Sequence, residues 1–514
     1  MATFFLGIDL GTGGCKTALM DTQGEVLAYA FREYPILNEK PGWSEHDPHL
    51  YWKLVTEMIR EVVEKSRVSP HEVKGIGVSS ALPAMVMLDE LGTPLERAYN
   101  LMDRRATAEV EWVKEHIGEE RVYKITGYRL EDHPNIVNLM WEKRNRPETY
   151  HKIAKALTIG GYIIYRLTGK TGINRSDATF FGAYDLRKNE FNQAILNEMG
   201  LDPAMFPDVH LCEEVVGEVH TAAAVDCSLV AGIPVAGQAD AMAGWIGGGA
   251  IEIGDFQSNL GSVGNFGIIH NNFDFVESEI GHLMGITSPY TIKDTLVTIP
   301  TTMTGGQSLR YLRDNLSHAE VNAEQVVGIS AYDLMNLEAA KVPVGSDGLI
   351  ILPLLMGERT PLWDPYVRGV VFGLSLNHTK GHLVQAMMEG VAYAMYHSYS
   401  LLIQGNLKIN YPLVMNEGGA VSHLWRQIIT DVLNIPTVLV KRRTGAPYGD
   451  CILAGVATGY FKNFGVVRNW VEYIEPLEPN PDNHARYMQF YEIYQQLYPS
   501  LQNSFHALAR LREQ

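Results

Sequence analysis

Cysteine, excess positive charge and long apolar runs are scarce in these 514 residues, and each scarcity removes a class of protein. Cys15, Cys212, Cys227 and Cys451 stand too far apart for a zinc pattern or a disulfide framework, so reduced thiols are expected. Lysine and arginine total 42 against 59 aspartates and glutamates, a formal net charge of −17. Basic residues gather only in short groups such as Arg104-Arg105 and Lys441-Arg442-Arg443, which argues against sequence-independent nucleic-acid binding. The first apolar run is cut by Asp9, too soon for a secretion signal, and no run approaches the roughly 20 apolar residues of a membrane span. A soluble cytoplasmic protein is the expectation, without nucleic-acid or membrane partners. The length exceeds what one hydrophobic core organises, so two large domains are expected.

Glycine, by contrast, stands where chemistry could use it. A short apolar strand, Phe4 to Leu10, runs into Gly11-Thr12-Gly13-Gly14-Cys15-Lys16-Thr17, and an echo follows at Asn259-Leu260-Gly261-Ser262-Val263-Gly264. A Walker loop needs Gly-Lys-Ser/Thr after its spacer, and here Lys16 follows Cys15. A dinucleotide fingerprint needs a third glycine where Lys16 stands and then a helix, but the next residues read as strand up to a turn at Gln23-Gly24. What survives is a hairpin whose small residues let backbone amides and the Thr12 hydroxyl approach a phosphate, with Asp9 at the strand end facing a metal. An ordinary tight hairpin is the competing reading.

Strands and helices alternate along the chain, which favours an α/β architecture. Val73 to Ser79 and Ala84 to Leu88 read as strands around a turn, and His49 to Lys65 as an amphipathic helix started by Asp47-Pro48. Val235 to Gly249 reads as a strand end, a small-residue helix and a glycine cluster, where a hinge is placed; a plain helix stop is the alternative. Within it, Asp240 sits where the strand ends beside small residues, so a substrate hydroxyl could reach it and give up its proton. Capping the following helix is the other use for an Asp there. The loop from Gly357 to Gly373 could merely pair Glu358 with Arg359 or Arg368 on a solvated face. The Val414 to His423 strand and glycine pair, followed by a helix from Leu424 to Leu433, suits a ring or phosphate close to the backbone, or a plain turn. A closing helical segment is expected from Arg486 to Arg512, broken by Pro499.

Taken in order, Gly-Ile-Asp-Leu-Gly-Thr from Gly7, Gly237 to Asp240, Leu260-Gly261-Ser262, Gly357-Glu358-Arg359-Thr360-Pro361 and Gly418-Gly419-Ala420 resemble the motifs of the FGGY carbohydrate kinases. Glu45-His46-Asp47-Pro48 resembles the family's Glu-Gln-Asp-Pro, and Ala446 to Asp450 its late Gly-Ala turn. The resemblance runs from Phe4 to about Gly459 and is strongest to the xylulose and gluconate kinase branch. It implies an α/β chain of two ribonuclease H-like domains, of the actin, Hsp70 and sugar-kinase superfamily, flanking a deep catalytic cleft. The implied division is 1–248 for the sugar-binding side, 249–460 for the ATP-binding side and 461–514 for a helical segment packed on the core. Asp240 becomes the general base by analogy, and Asp9 helps to hold Mg²⁺, through water. ATP would meet Gly11, Thr12, Gly13, Lys16, Gly261, Ser262, Gly306, Arg310, Gly419, Ala420 and His423. Its partners are then a small sugar and ATP, with a homodimer left open.

The substrate is where this sequence leaves the pattern. Xylulose kinases of the family carry Gly-Gln-Met-His-Gly where this chain has Ser80-Ala81-Leu82-Pro83-Ala84, so a hydrogen-bonding imidazole is replaced by proline. The Arg-Glu pair of glycerol kinases is absent from this turn. Leu101 replaces an aromatic residue before the Asp-x-Arg segment, of which Asp103 and Arg105 remain. Sugar contacts are therefore expected from Leu82, Pro83, Ala84, Leu101, Asp103 and Asp240, with Asp132 and His133 as further polar groups. A pentulose such as xylulose leads, with gluconate or another ketose or polyol as the alternative. Arg105 or Arg129 could pair with a substrate carboxylate or hold protein carboxylates. An ATP-driven regulator using the same clamp is the reading outside kinases, and it gives no reason for an Asp at position 240.

Overall fold

The computed structural model describes residues 2–130, 133–441 and 445–512, so Asp132, Arg442 and Arg443 lie outside the described residues. By compactness the chain forms two units: Met1–Ile251 with Thr287–Val297 and Arg442–Val471, and Glu252–Ile286 with Thr298–Lys441 and Glu472–Gln514. The change of unit after Ile251 falls just past the Gly247 to Gly249 cluster. This division differs from boundaries at 248 and 460, because residues 442–471 pack back on the first unit. Such a return cannot be read from chain order.

In the first unit, β1 (Phe4–Leu10) and β2 (Gly14–Asp21) form an antiparallel hairpin, and β3 (Val26–Glu33) extends it. The turn before β3 uses Gly24 at φ +77°. On the other side β4 (Val73–Ser80) runs parallel to β1, and after it come β5 (Gly217–Glu218) and β6 (Pro234–Ala239), with order β5-β6-β4-β1-β2-β3. Central strands buried on both faces need continuous small or apolar residues, and β1 and β4 supply them. Helix α1 (Pro48–Ser66) starts where Asp47 accepts the His49 N–H and Pro48 fills the first turn. Its stripe from Tyr51 to Val63 packs on β2 and β3. Two shorter helices, α2 (Ile159–Thr168) and α3 (Arg175–Ala178), precede α4 (Asp240–Gly247), which continues directly from β6.

The second unit repeats the device. Strands β7 (Phe256–Leu260) and β8 (Gly264–His270) form an antiparallel hairpin, β9 (Thr301–Thr302) pairs with β8, and β10 (Leu413–Asn416) runs parallel to β7. Next to β10 lie β11 (Thr437–Val440), parallel, and β12 (Tyr473–Leu477), antiparallel to β11. Helix α5 (Gly306–Leu316) follows β9, α6 (Lys380–Gln404) covers the strand Ile350–Leu352, and α7 (His423–Leu433) packs on α6.

Between β11 and β12 the chain visits the first unit as α8 (Ala446–Ala457). Side chains at Gly7 and Gly77 would collide with it: a Cβ would meet Pro447 O at 1.9 Å and Asp450 O at 2.1 Å. Glycine in β1 and β4 therefore lets α8 lie backbone against sheet. The last helix, α9 (Pro481–Arg512), is not broken at Pro499. An interior proline costs about 3 kcal/mol, and the buried Tyr487, Tyr491, Tyr494, Leu497 and Phe505 offset it by packing into the core shared with α6 and α7.

Candidate active site

Register brings the candidate residues of the first unit to one sheet edge. Asp9, Ser79 and Gln238 pair in one row, and Leu10, Ser80 and Ala239 in the next. Asp9, the Ala81 to Ala84 turn and Asp240 therefore leave the sheet together, at the carboxyl ends of its parallel strands, where ligands of open α/β sheets bind. The Ala81 N–H donates to Leu10 O at 2.9 Å and fixes the turn beside the hairpin tip. At that tip the Tyr34 hydroxyl donates to Gly11 O, and the Tyr34 N–H to Gly13 O at 3.3 Å. Gly13 has nothing within 4 Å of where a Cβ would stand and no left-handed φ. Neither packing nor conformation demands glycine there; its effect is to leave the tip backbone bare.

Asp9 is 2% exposed, and its Oδ2 lies 3.1 Å from Lys16 Nζ across the hairpin. Burial pushes Asp9 up, while Lys16 and Ser79 hold it down. Asp240 opens α4, whose cap is Ala239 with no side chain to offer. Its Oδ1 accepts the Ala241 N–H at 2.6 Å, and among the described residues Oδ2 makes no hydrogen bond. Asp240 thus contributes to the helix start yet keeps one oxygen free. Burial first, then the charge of Asp9, pushes its carboxyl up to about 7, with Ala241 and Lys16 opposing and Asp177 adding to the rise. A carboxylate near 7 is matched to accepting a proton at physiological pH.

Behind this edge lie residues to which the sequence motifs assigned no role, although Gln238 and Asp450 fall inside two of them. Ser79 Oγ is 2.7 Å from Asp450 Oδ2 and 3.4 Å from Asp9 Oδ1. Gln238 Nε2 donates to Asp450 Oδ1 at 3.0 Å, and Thr291 Oγ1 donates to Gln238 Oε1 at 2.8 Å. The Ala239 N–H, one residue before Asp240, donates to Ser176 Oγ at 3.0 Å, and Ser176 Oγ donates to Asn174 Oδ1 at 2.6 Å. Asp177, buried beside Ser176, accepts from Thr158 Oγ1 at 3.0 Å, and burial pushes it up to about 7. The signals available were the Gly237 to Asp240 and Ala446 to Asp450 segments, the second placing an aspartate amid the small residues of a buried helix.

Of the sugar-facing candidates, Leu82-Pro83 is a cis peptide, and Asn135 Nδ2 donates to Ala84 O at 3.1 Å. Tyr99 bridges to Met85, which sets the turn leading to Leu101 alongside. Asp103 is spent on the protein: it accepts from the Ser44 N–H at 2.8 Å, from Arg105 Nε at 2.9 Å and from Arg105 Nη2 at 2.6 Å. Arg105 also pairs with Glu45 at 2.7 Å, with its guanidinium 3.7 Å from the Trp43 ring centroid and 4.3 Å from that of Tyr99. Arg129 pairs with Glu119 at 3.0 Å. His133 is buried with Nε2 3.4 Å from Thr107 Oγ1. Both candidate arginines therefore hold protein carboxylates.

In the second unit three segments meet at the β7–β8 tip. The Gly305 N–H donates to Ser262 O at 2.9 Å and the Gly306 N–H to Gly261 O at 2.6 Å. A Cβ on Gly306 would lie 2.7 Å from Gly261 O, and one on Gly419 2.6 Å from Leu260 Cγ, so glycine permits both approaches. Gly261, Ser262, Gly306, Gly419 and Ala420 are thus gathered, whereas Arg310 and His423 are exposed on α5 and α7. Glu358 is not on a solvated face. It is buried, and accepts from Thr302 Oγ1 at 2.6 Å and from the Met303 and Arg359 N–H groups at 2.7 and 2.8 Å. Burial raises it to about 7. It ties the end of β9, and hence the Gly305-Gly306 turn, to the Gly357 to Pro361 loop, because burying three donors requires an acceptor there.

Among the described residues no group of three or more His, Cys, Asp and Glu is arranged to hold a metal, and no helix is long and apolar enough to cross a membrane.

Family models for the FGGY family of carbohydrate kinases match this chain over residues 4–247 for the N-terminal domain and 282–458 for the C-terminal domain. A xylulose kinase of Staphylococcus epidermidis is 28% identical over 498 residues, covering 96% of each chain. A gluconokinase of Bacillus subtilis is 26% identical over 510 residues, covering 99% of this chain and 98% of the other. The crystal structure of xylulose kinase from Rhodospirillum rubrum superposes with a TM-score of 0.87 at 26% identity, over 98% of this chain and 100% of that one.

Proposed function

The chain belongs to the FGGY family of carbohydrate kinases, and from that premise we propose that it transfers the terminal phosphoryl group of ATP to a hydroxyl of a small neutral sugar, a pentulose such as xylulose, with Asp240 as general base. The observation that carries the reading is Asp240 itself: a carboxylate at the sheet edge, raised to about 7, with no hydrogen bond to its Oδ2 among the described residues.

In this reading the substrate hydroxyl donates its proton to Asp240 as its oxygen forms a bond to the γ-phosphorus. The bond from that phosphorus to the β–γ bridging oxygen breaks, and ADP leaves. Transfer of this kind depends on positioning and electrostatics more than on covalent work by the protein. In the first unit the open space at Gly13, beside Thr12, and in the second the Gly261-Ser262 tip offer backbone amides and hydroxyls to phosphate oxygens, while the Gly11 N–H is held by Gly14 O. Lys16 supplies positive charge while neutralising Asp9.

Mg²⁺ fits the residues present. The charge of Asp9 raises the proton affinity of Asp240, and Lys16 is the cation acting on both. Mg²⁺ prefers hard oxygen donors, keeps several waters and takes one or two carboxylates together with substrate phosphates. Asp9 would hold it through water. Bound there, the ion supplies charge neutralisation on the phosphoryl oxygens.

A neutral sugar is favoured over gluconate because Arg105 and Arg129 are both engaged with protein carboxylates. The test is acceptor-dependent ADP release measured over ketoses, aldonates and polyols. Stimulation by pentuloses above aldonates is expected. If aldonates are better acceptors, the substrate assignment fails; if no acceptor raises ADP formation above background, the kinase reading fails for this chain.

A further inference from the structure

Asp450 is separated from Ser79 by 371 residues, is fully buried and has no part in the reaction described above. Its surroundings fix its hydrogen. Gln238 Nε2 donates to Asp450 Oδ1 while Gln238 Oε1 accepts from Thr291 Oγ1, so Asp450 Oδ1 is an acceptor. The other oxygen, Oδ2, faces Ser79 Oγ at 2.7 Å, and the same Oγ faces Asp9 Oδ1 at 3.4 Å. A serine hydroxyl has one proton to give. Were both aspartates ionised, that proton could serve only one of them, and the other would confront oxygen lone pairs.

We propose that Asp450 is a neutral carboxylic acid whose O–H donates to Ser79 Oγ, so that the Ser79 hydroxyl is directed to Asp9, and that Asp450 is thereby a positioning residue for Asp9. Its functional consequence rests on the kinase reading; its protonation does not. Charge placement agrees: Asp9 has the Lys16 ammonium at 3.1 Å, whereas Asp450 has Ser79 and Gln238 as partners, both neutral. The charged groups facing this network are Asp9, Lys16 and Asp240. Burial, then the charge of Asp9, pushes Asp450 well above the usual carboxylate range. The arrangement exists because Gly77 lets α8 press on β4 at Asp450. Its product is a carboxylate at position 9 held in one rotamer, with a single negative charge on the Asp9–Asp450 pair.

Two variants and one spectrum test this. Asp450→Asn keeps a donor toward Ser79 and an acceptor toward Gln238, whereas Asp450→Ala removes both. With folding of each verified by thermal melting, the Ala variant is expected to lose about 10- to 100-fold in kcat, with the Asn variant restoring it to within about threefold of wild type. The infrared difference spectrum, wild type minus Asp450→Asn at neutral pH and without ligands, should carry the carbonyl stretch of a protonated carboxylic acid. Absence of that band overturns the proposal, and so does an Asn variant as slow as the Ala variant. If Asp450→Ala does not fold, the band alone decides. If wild type makes no acceptor-dependent ADP, the kinase reading falls while the band still reports the proton.

Discussion

The two hairpins, β1–β2 and β7–β8, share one backbone plan: an antiparallel pair, a glycine-bearing tip and a parallel neighbour. They differ in charge. The first places Asp9 opposite Lys16 and draws Asp450 and Asp240 to the same sheet edge. The second pairs Asn259 with Asn265 and Ser258 with Phe266, and the buried Glu358 nearby serves backbone and hydroxyl donors. One device thus supports two kinds of work. Where charges are concentrated and desolvated, proton affinities move and chemistry can follow. Where neutral amides and close glycine contacts dominate, a nucleotide can be held by backbone and hydroxyl groups, with Glu358, itself raised to about 7 by burial, tying the turn behind them.

The sharpest way to break that division is Asp240→Asn. It should lower kcat by about 10²- to 10⁴-fold, as loss of a general base does, while ATP affinity measured by calorimetry stays within about threefold, since an affinity ratio of that size is under about 1 kcal/mol. Near-normal turnover would reduce Asp240 to a helix-start residue. Glu358→Ala should do the reverse. It leaves the Met303 N–H and Thr302 hydroxyl without their buried acceptor, a loss of about 1–3 kcal/mol, so ATP affinity should weaken by about 5- to 100-fold on the same scale. Glu358→Gln retains acceptors and should restore most of it. An unchanged ATP affinity in the Ala variant would show that the Gly305-Gly306 turn does not need this tie.

A smaller effect concerns pH. A base must be ionised to act, and Asp240 is raised to about 7, so kcat/KM should fall as pH drops through about 7. Asp177 contributes to that rise by like charge, so Asp177→Asn should move the acid limb to lower pH. A limb that stays in place separates Asp177 from the site. The smallest expected change is Pro83→His, which would add a hydrogen-bonding ring to the sugar-facing turn; improved xylulose use relative to other ketoses is expected, and an unaltered acceptor profile would remove this turn from the specificity argument.

Much of the site was legible because its signals are local. Gly11 to Gly14 and Gly261 to Gly264 mark hairpin tips, and Asp240 marks a strand-to-helix junction, each within a few residues of chain. Failed matches to other phosphate loops, read with the order of five motifs, were enough to reach the family. Glu358 was misplaced on a solvated face because its partners, Thr302 and Met303, lie more than 50 residues away and leave no periodic trace near position 358. Pro499 suggests a break in sequence because a proline's local cost is visible there and the tyrosine contacts that offset it are not.

What the sequence determined alone was therefore the set of parts: two glycine-tipped hairpins, a strand-end aspartate and an acidic, α/β composition. The tertiary structure decided which parts act on one another. Only packing α8 on Gly7 and Gly77 brings Asp450 to Ser79 and Asp9, and only the row of Asp9, Ser79 and Gln238 aims them at one edge. Backbone preference acts over a few residues, whereas desolvation and hydrogen-bond pairing depend on whatever the fold brings within 3 to 4 Å.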